Sequence, residues 1–216
     1  LMFQPGASWE YGRSIDVLGF LVEKVSGMRL DHFFDERIFK PLGMTDTAFN
    51  LPPEKYDRVA QPAPDPETGK VAELTDITVP RTFLGGGEGL LSTAADYMRF
   101  CQMLLNGGEL DGVRLLSRKT VQLMTSDHLD AALAKGPNFL PGPGYGFGLT
   151  VAVRKTPGMS AIPSSVGEYN WSGAAGTAFW IDPREKLIAI MMIQSPGQRL
   201  FYRYAFRDLV YQAFAD

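Results

Sequence analysis

The chain is poor in the side chains that carry much of enzymatic and binding chemistry. Its 216 residues include one cysteine and two histidines. Cys101 alone cannot close an internal disulfide, so cysteine usage indicates no redox compartment. His32 and His128 are too few for a histidine-rich metal site, and no carboxylate cluster replaces one; neither metal nor cofactor is expected. A Ser-His-Asp triad would need one of these two as its base. Neither has a recognisable setting, and no Gly-x-Ser-x-Gly elbow occurs. A basic excess is also missing: Lys and Arg number 21 against 24 Asp and Glu, a net charge of −3. Nothing therefore points to nucleic acid or an anionic membrane as partner. The longest wholly apolar run, residues 187–193, is much too short to span a bilayer. The first residues do not read as a secretory leader, and none is expected. A soluble protein is expected, its compartment open and the cytoplasm slightly favoured.

What is present is ordinary for a globular domain: 45% hydrophobic and 21% charged residues. From Ile15 the apolar residues Ile15, Leu18, Leu21, Val22 and Val25 share one helical face, with Ser14 as N-cap and Gly27 as stop. Residues 30–39 read as a second helix ended by Pro41, with His32 a surface or half-buried residue on it. Residues 50–88 are rich in proline and irregular, with room for a short extended segment at 74–79. The glycines at 85, 86, 87 and 89 lack the Lys-Ser or Lys-Thr of a phosphate loop. They read as a tight turn where backbone comes close to something. Ser92 or Thr93 caps a helix whose face carries Tyr97, Met98, Cys101, Leu104 and Leu105; Gly107-Gly108 ends it. Cys101 reads as a buried, inert thiol. Ser117 caps one more helix.

Pro137, Phe139, Pro141, Pro143, Tyr145 and Phe147 form either a pocket rim or a rigid surface loop. One strand is expected over 145–153. Two more, 177–181 and 187–194, are joined by the turn Asp182-Pro183-Arg184-Glu185. A closing helix starts near Arg199, with Phe201, Ala205, Phe206, Leu209 and Ala213 on its apolar side and Arg203 and Arg207 opposite. Helices first and an antiparallel sheet afterwards give an α+β class. The expected division is a mostly helical region, 1–134, and a region of strands and covering helix, 135–216.

Several motifs in order carry a resemblance. They are Pro5-Gly6-x-x-Trp9-x-Tyr11 with Asp16-Val17-Leu18-Gly19; Lys40-Pro41-Leu42-Gly43-Met44-Thr45-Asp46-Thr47; the glycine run to Ser92-Thr93; and Trp171-Ser172-Gly173-Ala174-Ala175-Gly176-Thr177. Together they resemble the serine β-lactamase and penicillin-binding-protein superfamily, nearest the family VIII carboxylesterases with a class C β-lactamase fold. The resemblance covers nearly the whole chain and implies a partial β-lactamase-like fold.

It also implies a chemistry without histidine. In that superfamily a serine in Ser-x-x-Lys attacks the acyl carbon, and the lysine one turn on helps to activate it. A tyrosine beside both helps to relay the proton. A free phenol, with a pKa of about 10, is a poor base alone, but a neighbouring ammonium favours its phenolate. The resemblance assigns that tyrosine to Tyr11. It places Trp171, Ser172 and Gly173 in the substrate-binding strand and makes the Ala174 backbone N–H one oxyanion-hole donor, the other being the nucleophile's own N–H. Gly173 would let the strand approach the substrate.

Arg13 stands where β-lactamases have Asn, and Trp171 where they have Lys. Both departures favour a small uncharged ester over a lactam. Ser126-Asp127-His128, superficially like a β-lactamase motif, reads as helix-end polar residues.

No serine of this chain has lysine three residues on. The chain therefore reads as the C-terminal part of a serine hydrolase, inactive alone, whose Ser-x-x-Lys lies in an N-terminal segment upstream. The alternatives are a β-lactamase or D-Ala-D-Ala peptidase, or a non-catalytic binding or scaffold relative. Residues 187–193, apolar at every position, read as a central strand covered on both faces. The last helix covers one face and the N-terminal segment the other. That segment, or copies of the same chain, is the expected protein partner, and a small ester the expected ligand.

Overall fold

The computed structural model describes residues 3–130, 133–135 and 139–214. Pro137, one of the proposed rim residues, lies outside them. A two-residue strand β1 (Ser8–Trp9) leads through a short loop into helix α1 (Ser14–Ser26). A continuous helical stretch follows in three pieces: α2 (Leu30–Phe34), a π-helical turn (Asp35–Phe39) and α3 (Lys40–Leu42). A 3-10 turn (Pro53–Arg58), helix α4 (Ala94–Leu105), the small hairpin β2 (Glu109–Leu110) and β3 (Val113–Arg114), and helix α5 (Arg118–Met124) complete the first part. Strand β4 (Ala134–Lys135) pairs in parallel with β1. Then come β5 (Tyr145–Phe147), β6 (Ala152–Arg154), β7 (Tyr169–Ser172), β8 (Ala178–Asp182), β9 (Leu187–Met191) and helix α6 (Arg199–Gln212). Strands β5 to β9 form one antiparallel sheet in sequence order.

Local chemistry explains the boundaries. Thr93 accepts from the Asp96 amide and Ser117 from that of Thr120, so each caps its helix. Gly27 ends α1 in the left-handed region, φ 70°. The N-terminus of α1 is corrected by one residue: Arg13 is the N-cap, and no side chain caps it. Pro41 does not stop the second helix. The π turn widens the preceding coil, with the Lys40 amide donating to Asp35 O, and the helix runs to Leu42 before Gly43 at φ 66°. No strand forms at 74–79, because the Asp76 carboxylate accepts from both the amide and the hydroxyl of Thr78 and bends the chain. Residues 145–153 are a hairpin and not one strand. The Gly148 amide donates to Val151 O at 2.8 Å and Thr150 adopts φ 77°.

The main core lies between α4 and one face of the sheet. Phe39, Leu42, Cys101, Met103, Val153, Tyr169 and Ile181 are its buried centre. The motif before α4 is fastened to it: buried Asp96 accepts from the Asp46 amide at 2.7 Å and from Thr47 Oγ1 at 2.9 Å.

Three packing expectations are corrected. On α1, Leu18, Leu21 and Val25 are exposed, as are Val17 and Phe20, while Asp16 and Gly19 are buried. On α6 the polarity is inverted: Arg207 is buried and Phe201 and Leu209 are exposed. Strand β9, expected in the centre, is at the sheet edge among the described residues. Both its faces are nonetheless covered within this chain. Ile188 and Ile190 pack on the α4 core, and Ala189 lies opposite Trp180, against which α6 packs. A continuous apolar run reports two covered faces, and it says nothing about the strand's edges.

Candidate active site

Tyr11 occupies the loop between β1 and α1, and that loop is fixed from three sides. Behind it, the Trp9 ring lies edge-on to Phe139 at 5.2 Å and to Phe147 at 5.0 Å. Ahead of it, buried Asp16 in the first turn of α1 accepts from the Gly87 amide at 3.0 Å. Beside it, Arg13 reaches Asp16 at 3.2 Å and Glu88 at 2.8 Å. The glycine run explains itself here. A Cβ on Gly86 would lie 2.2 Å from Ile15 O, and one on Gly85 2.7 Å from the Asp16 carboxylate. The close neighbour of these glycines is helix α1, and Gly19 meets Gly86 from the helix side. Arg13 thus ties the tyrosine loop to the glycine loop.

The second wall comes from β7 and its turn into β8. The Tyr11 ring lies 5.6 Å from that of Trp171, tilted by 37°, and Trp171 meets Phe147 edge-on at 5.3 Å. Trp9, Phe147, Trp171 and Tyr11 therefore form a continuous aromatic row between segments far apart in sequence. Tyr11 is about half exposed and Trp171 half-buried. The row ends at an accessible phenol.

Past Ser172, which is exposed, the chain turns tightly. The Gly173 amide donates to Thr177 O at 2.9 Å, the Gly176 amide to Gly173 O at 3.2 Å, and the Ser195 amide to Ala175 O at 2.7 Å. Gly173 has an internal reason to be glycine, since a Cβ would lie 2.4 Å from Thr177 Oγ1. Ala174 is exposed at the apex, and its N–H has no hydrogen-bond partner among the described residues. A backbone donor at an exposed turn apex, free of an internal acceptor, is open to an acceptor from outside the chain.

The structure thus brings Tyr11 and Trp171 together and places Ser172, Gly173 and Ala174 directly after Trp171. Sequence reasoning left Phe147 as an alternative rim residue. Its membership of the row was hinted at only by the aromatics spaced along 136–148. Arg203, assigned to the outer side of α6, instead donates to Gly173 O and, at 3.2 Å, to Thr177 O. No sequence signal marked it.

Other polar candidates have structural partners. Ser126 Oγ donates to Gln122 O at 2.6 Å and His128 Nε2 lies 2.8 Å from Leu123 O. Asp127 accepts from the Phe147 amide at 2.9 Å and pairs with Lys155 at 2.5 Å. His32 is exposed on α2. Among the described residues no group of three or more His, Cys, Asp or Glu is placed to hold a metal ion. No helix there is long and apolar enough to cross a membrane. A shallow depression of about 270 Å³ lined by Ser164, Ser165, Glu185, Tyr211 and Phe214 contains none of the candidate residues.

Comparison with known proteins identifies the family and the fold. The Beta-lactamase family model matches residues 1–212. Protein Rv1367c of Mycobacterium tuberculosis is 38% identical over 205 residues, which cover 90% of this chain and 50% of that protein. Esterase EstB of Burkholderia gladioli is 26% identical over 231 residues, covering 98% of this chain and 56% of its own. Among solved structures, EstCE1, described as a hydrolase with promiscuous acyltransferase activity, superposes with a TM-score of 0.79 at 26% identity. The match covers 98% of this chain and 58% of that one. The chain spans about half the length of the curated relatives it matches.

Proposed function

The chain belongs to the beta-lactamase family, and from that premise we propose that it is the C-terminal part of a serine hydrolase cleaving small carboxylic esters. The observation that carries the reading is the meeting of Tyr11 with Trp171, the residue three positions before Ala174, whose N–H has no acceptor among the described residues. An esterase among its relatives and a hydrolase with acyltransferase activity among its structural neighbours support the same class. So does the absence of cationic side chains at Trp171 and Ser172, where a carboxylate-bearing substrate would need one.

The proposed reaction needs a Ser and a Lys from a segment preceding this chain. The serine oxygen attacks the acyl carbon, and its proton passes through the Lys and Tyr11 pair. The Ala174 N–H and the serine's own N–H hold the oxyanion. The C–O bond breaks, the alcohol leaves with the relayed proton, and water then releases the acid from the acyl-enzyme by the same route. The aromatic row Trp9, Phe147 and Trp171 forms an apolar wall for the ester beside Tyr11. On this reading the 216-residue chain has no turnover alone.

The same segment is the proposed partner of two uncovered surfaces. Val17, Phe20, Leu21 and Val25 stand exposed together on α1, and β9 offers an unpaired edge among the described residues. Clustered exposed apolar residues and an open strand edge are both features that a partner ordinarily covers.

Tyr11→Phe in the complete enzyme tests the assignment. Positioned acid–base catalysis contributes roughly 10²–10⁴-fold, and kcat on a short-chain p-nitrophenyl ester is expected to fall by about that factor with the fold retained. A loss below about fivefold, on the same scale, would reduce Tyr11 to a packing residue.

A further inference from the structure

Helix α6 meets the sheet through a polar stripe beside the Phe206–Trp180 contact. Arg203, Arg207 and Tyr211 follow at intervals of four along its inner face. Tyr211 donates to Asp182 at 2.8 Å, and buried Arg207 pairs with fully buried Glu168 at 2.6 Å. These two contacts fix the helix on the sheet, and Arg203 is held one turn before them. Its guanidinium reaches the turn between β7 and β8 and donates there to Gly173 O and Thr177 O, the carbonyls at either end of the turn.

Gly173 O is the other end of the amide whose N–H belongs to Ala174. We infer that Arg203 is a positioning residue that fixes and polarises this amide from its carbonyl side, making Ala174 N–H a stronger oxyanion donor. The inference rests on the proposed role of Ala174. A charge-assisted hydrogen bond to a carbonyl draws electron density from the amide nitrogen, and hydrogen bonds joined through one peptide unit strengthen one another. The guanidinium is half-buried, and among the described residues no carboxylate lies within ion-pair distance of it. Its charge is therefore directed at the two carbonyls and is not cancelled by an acid. Burial, and after it Arg199, depresses its pKa, yet arginine keeps its charge in proteins. The same bridge clamps the turn, since Gly173 and Thr177 are also joined by their own backbone hydrogen bond.

Two readouts separate this role from simple packing. In alanine-15N-labelled protein, Arg203→Met is expected to move the Ala174 amide resonance upfield, together with that of Ala178, whose N–H shares a peptide unit with Thr177 O. Arg203→Lys should recover part of both shifts. In the complete enzyme, Arg203→Met is expected to lower kcat about tenfold with KM nearly unchanged, a fraction of the 10²–10³ that a lost oxyanion donor costs, and Arg203→Lys to restore part of it. Unmoved Ala174 and Ala178 resonances in a folded Arg203→Met chain would overturn the inference, as would a loss expressed in KM alone. If Arg203→Met does not fold, Arg203→Lys decides: resonances and kcat identical to the parent overturn it. Should the complete enzyme show no ester turnover, the proposed function fails, while the resonances still report whether Arg203 acts on that amide.

Discussion

The two faces of the five-stranded sheet solve the same problem with different chemistry. Toward α4 the contact is apolar: Val153, Tyr169 and Ile181 lie in one cross-strand row and meet Cys101 and Met103. Toward α6 it is polar and aromatic. Glu168 accepts from Tyr145 at 3.0 Å and pairs with Arg207, whose guanidinium lies 4.8 Å from the Trp180 ring centroid; Tyr211 bonds to Asp182. The apolar face gains from burial without regard to direction. The polar face is directional: a buried charge is tolerated only with its partner in place. One face therefore supplies bulk cohesion, and the other fixes where α6 sits, and with it Arg203.

The largest expected effect breaks the polar face. Glu168→Ala leaves Arg207 buried without its acid, and removing one partner of such a pair costs about 3–5 kcal/mol, read by urea denaturation. Replacing both, with Glu168→Leu and Arg207→Met, is expected to recover most of that loss, because the pair itself is worth little against apolar packing. If the double variant is as unstable as the single, the face is held by shape and not by charge pairing.

Alkaline titration sharpens the comparison next. Burial raises the phenol pKa values of Tyr97 and Tyr169 on the α4 face; burial and then the hydrogen bond to Asp182 raise that of Tyr211. A raised folded-state pKa contributes stability that is whole below the unfolded value, about 10, and is lost as pH climbs above it. These phenols are thus expected to ionise only together with unfolding, in ultraviolet absorbance and circular dichroism. Asp182→Asn should lower the value for Tyr211 and leave Tyr97 and Tyr169 unchanged. Ionisation of Tyr97 well before unfolding would show the α4 face to be wet.

The smallest effect concerns Cys101. It is fully buried and its thiol is pushed up to about 12 by burial. A thiol reagent at neutral pH is expected to leave it unmodified in the folded chain and to label it in urea. Rapid native labelling would mean that the α4 core opens.

The contrast between faces also marks what the sequence could reveal. Local signals were legible: the caps Thr93 and Ser117, the stop at Gly27, and the hairpin turn after Asp182 depend on neighbours along the chain. So was the α4 face, where Cys101 and Leu104 follow helical spacing. Helix α6 was misread because Arg207 is buried only through Glu168, a partner remote in sequence. Periodicity alone assigns arginine to water. Helix α1 carries apolar residues on more than one side, and its docked side was set by Gly19 against Gly86, a close approach that hydropathy does not register. Motif order singled out Tyr11, Trp171 and Ala174, whose roles belong to the proposed function. Their meeting through Phe147, and the reach of Arg203 to Gly173 O, required the fold.

On the proposed reading this chain holds the tyrosine and an oxyanion donor of an ester-cleaving site, and the nucleophilic serine comes from a preceding segment. Treating the 216-residue chain with a fluorophosphonate probe and measuring its intact mass tests this directly. The expected result is no adduct on any serine of the chain alone, and a single adduct on the preceding segment when the two are present together. Stoichiometric labelling of one serine within these 216 residues would contradict it.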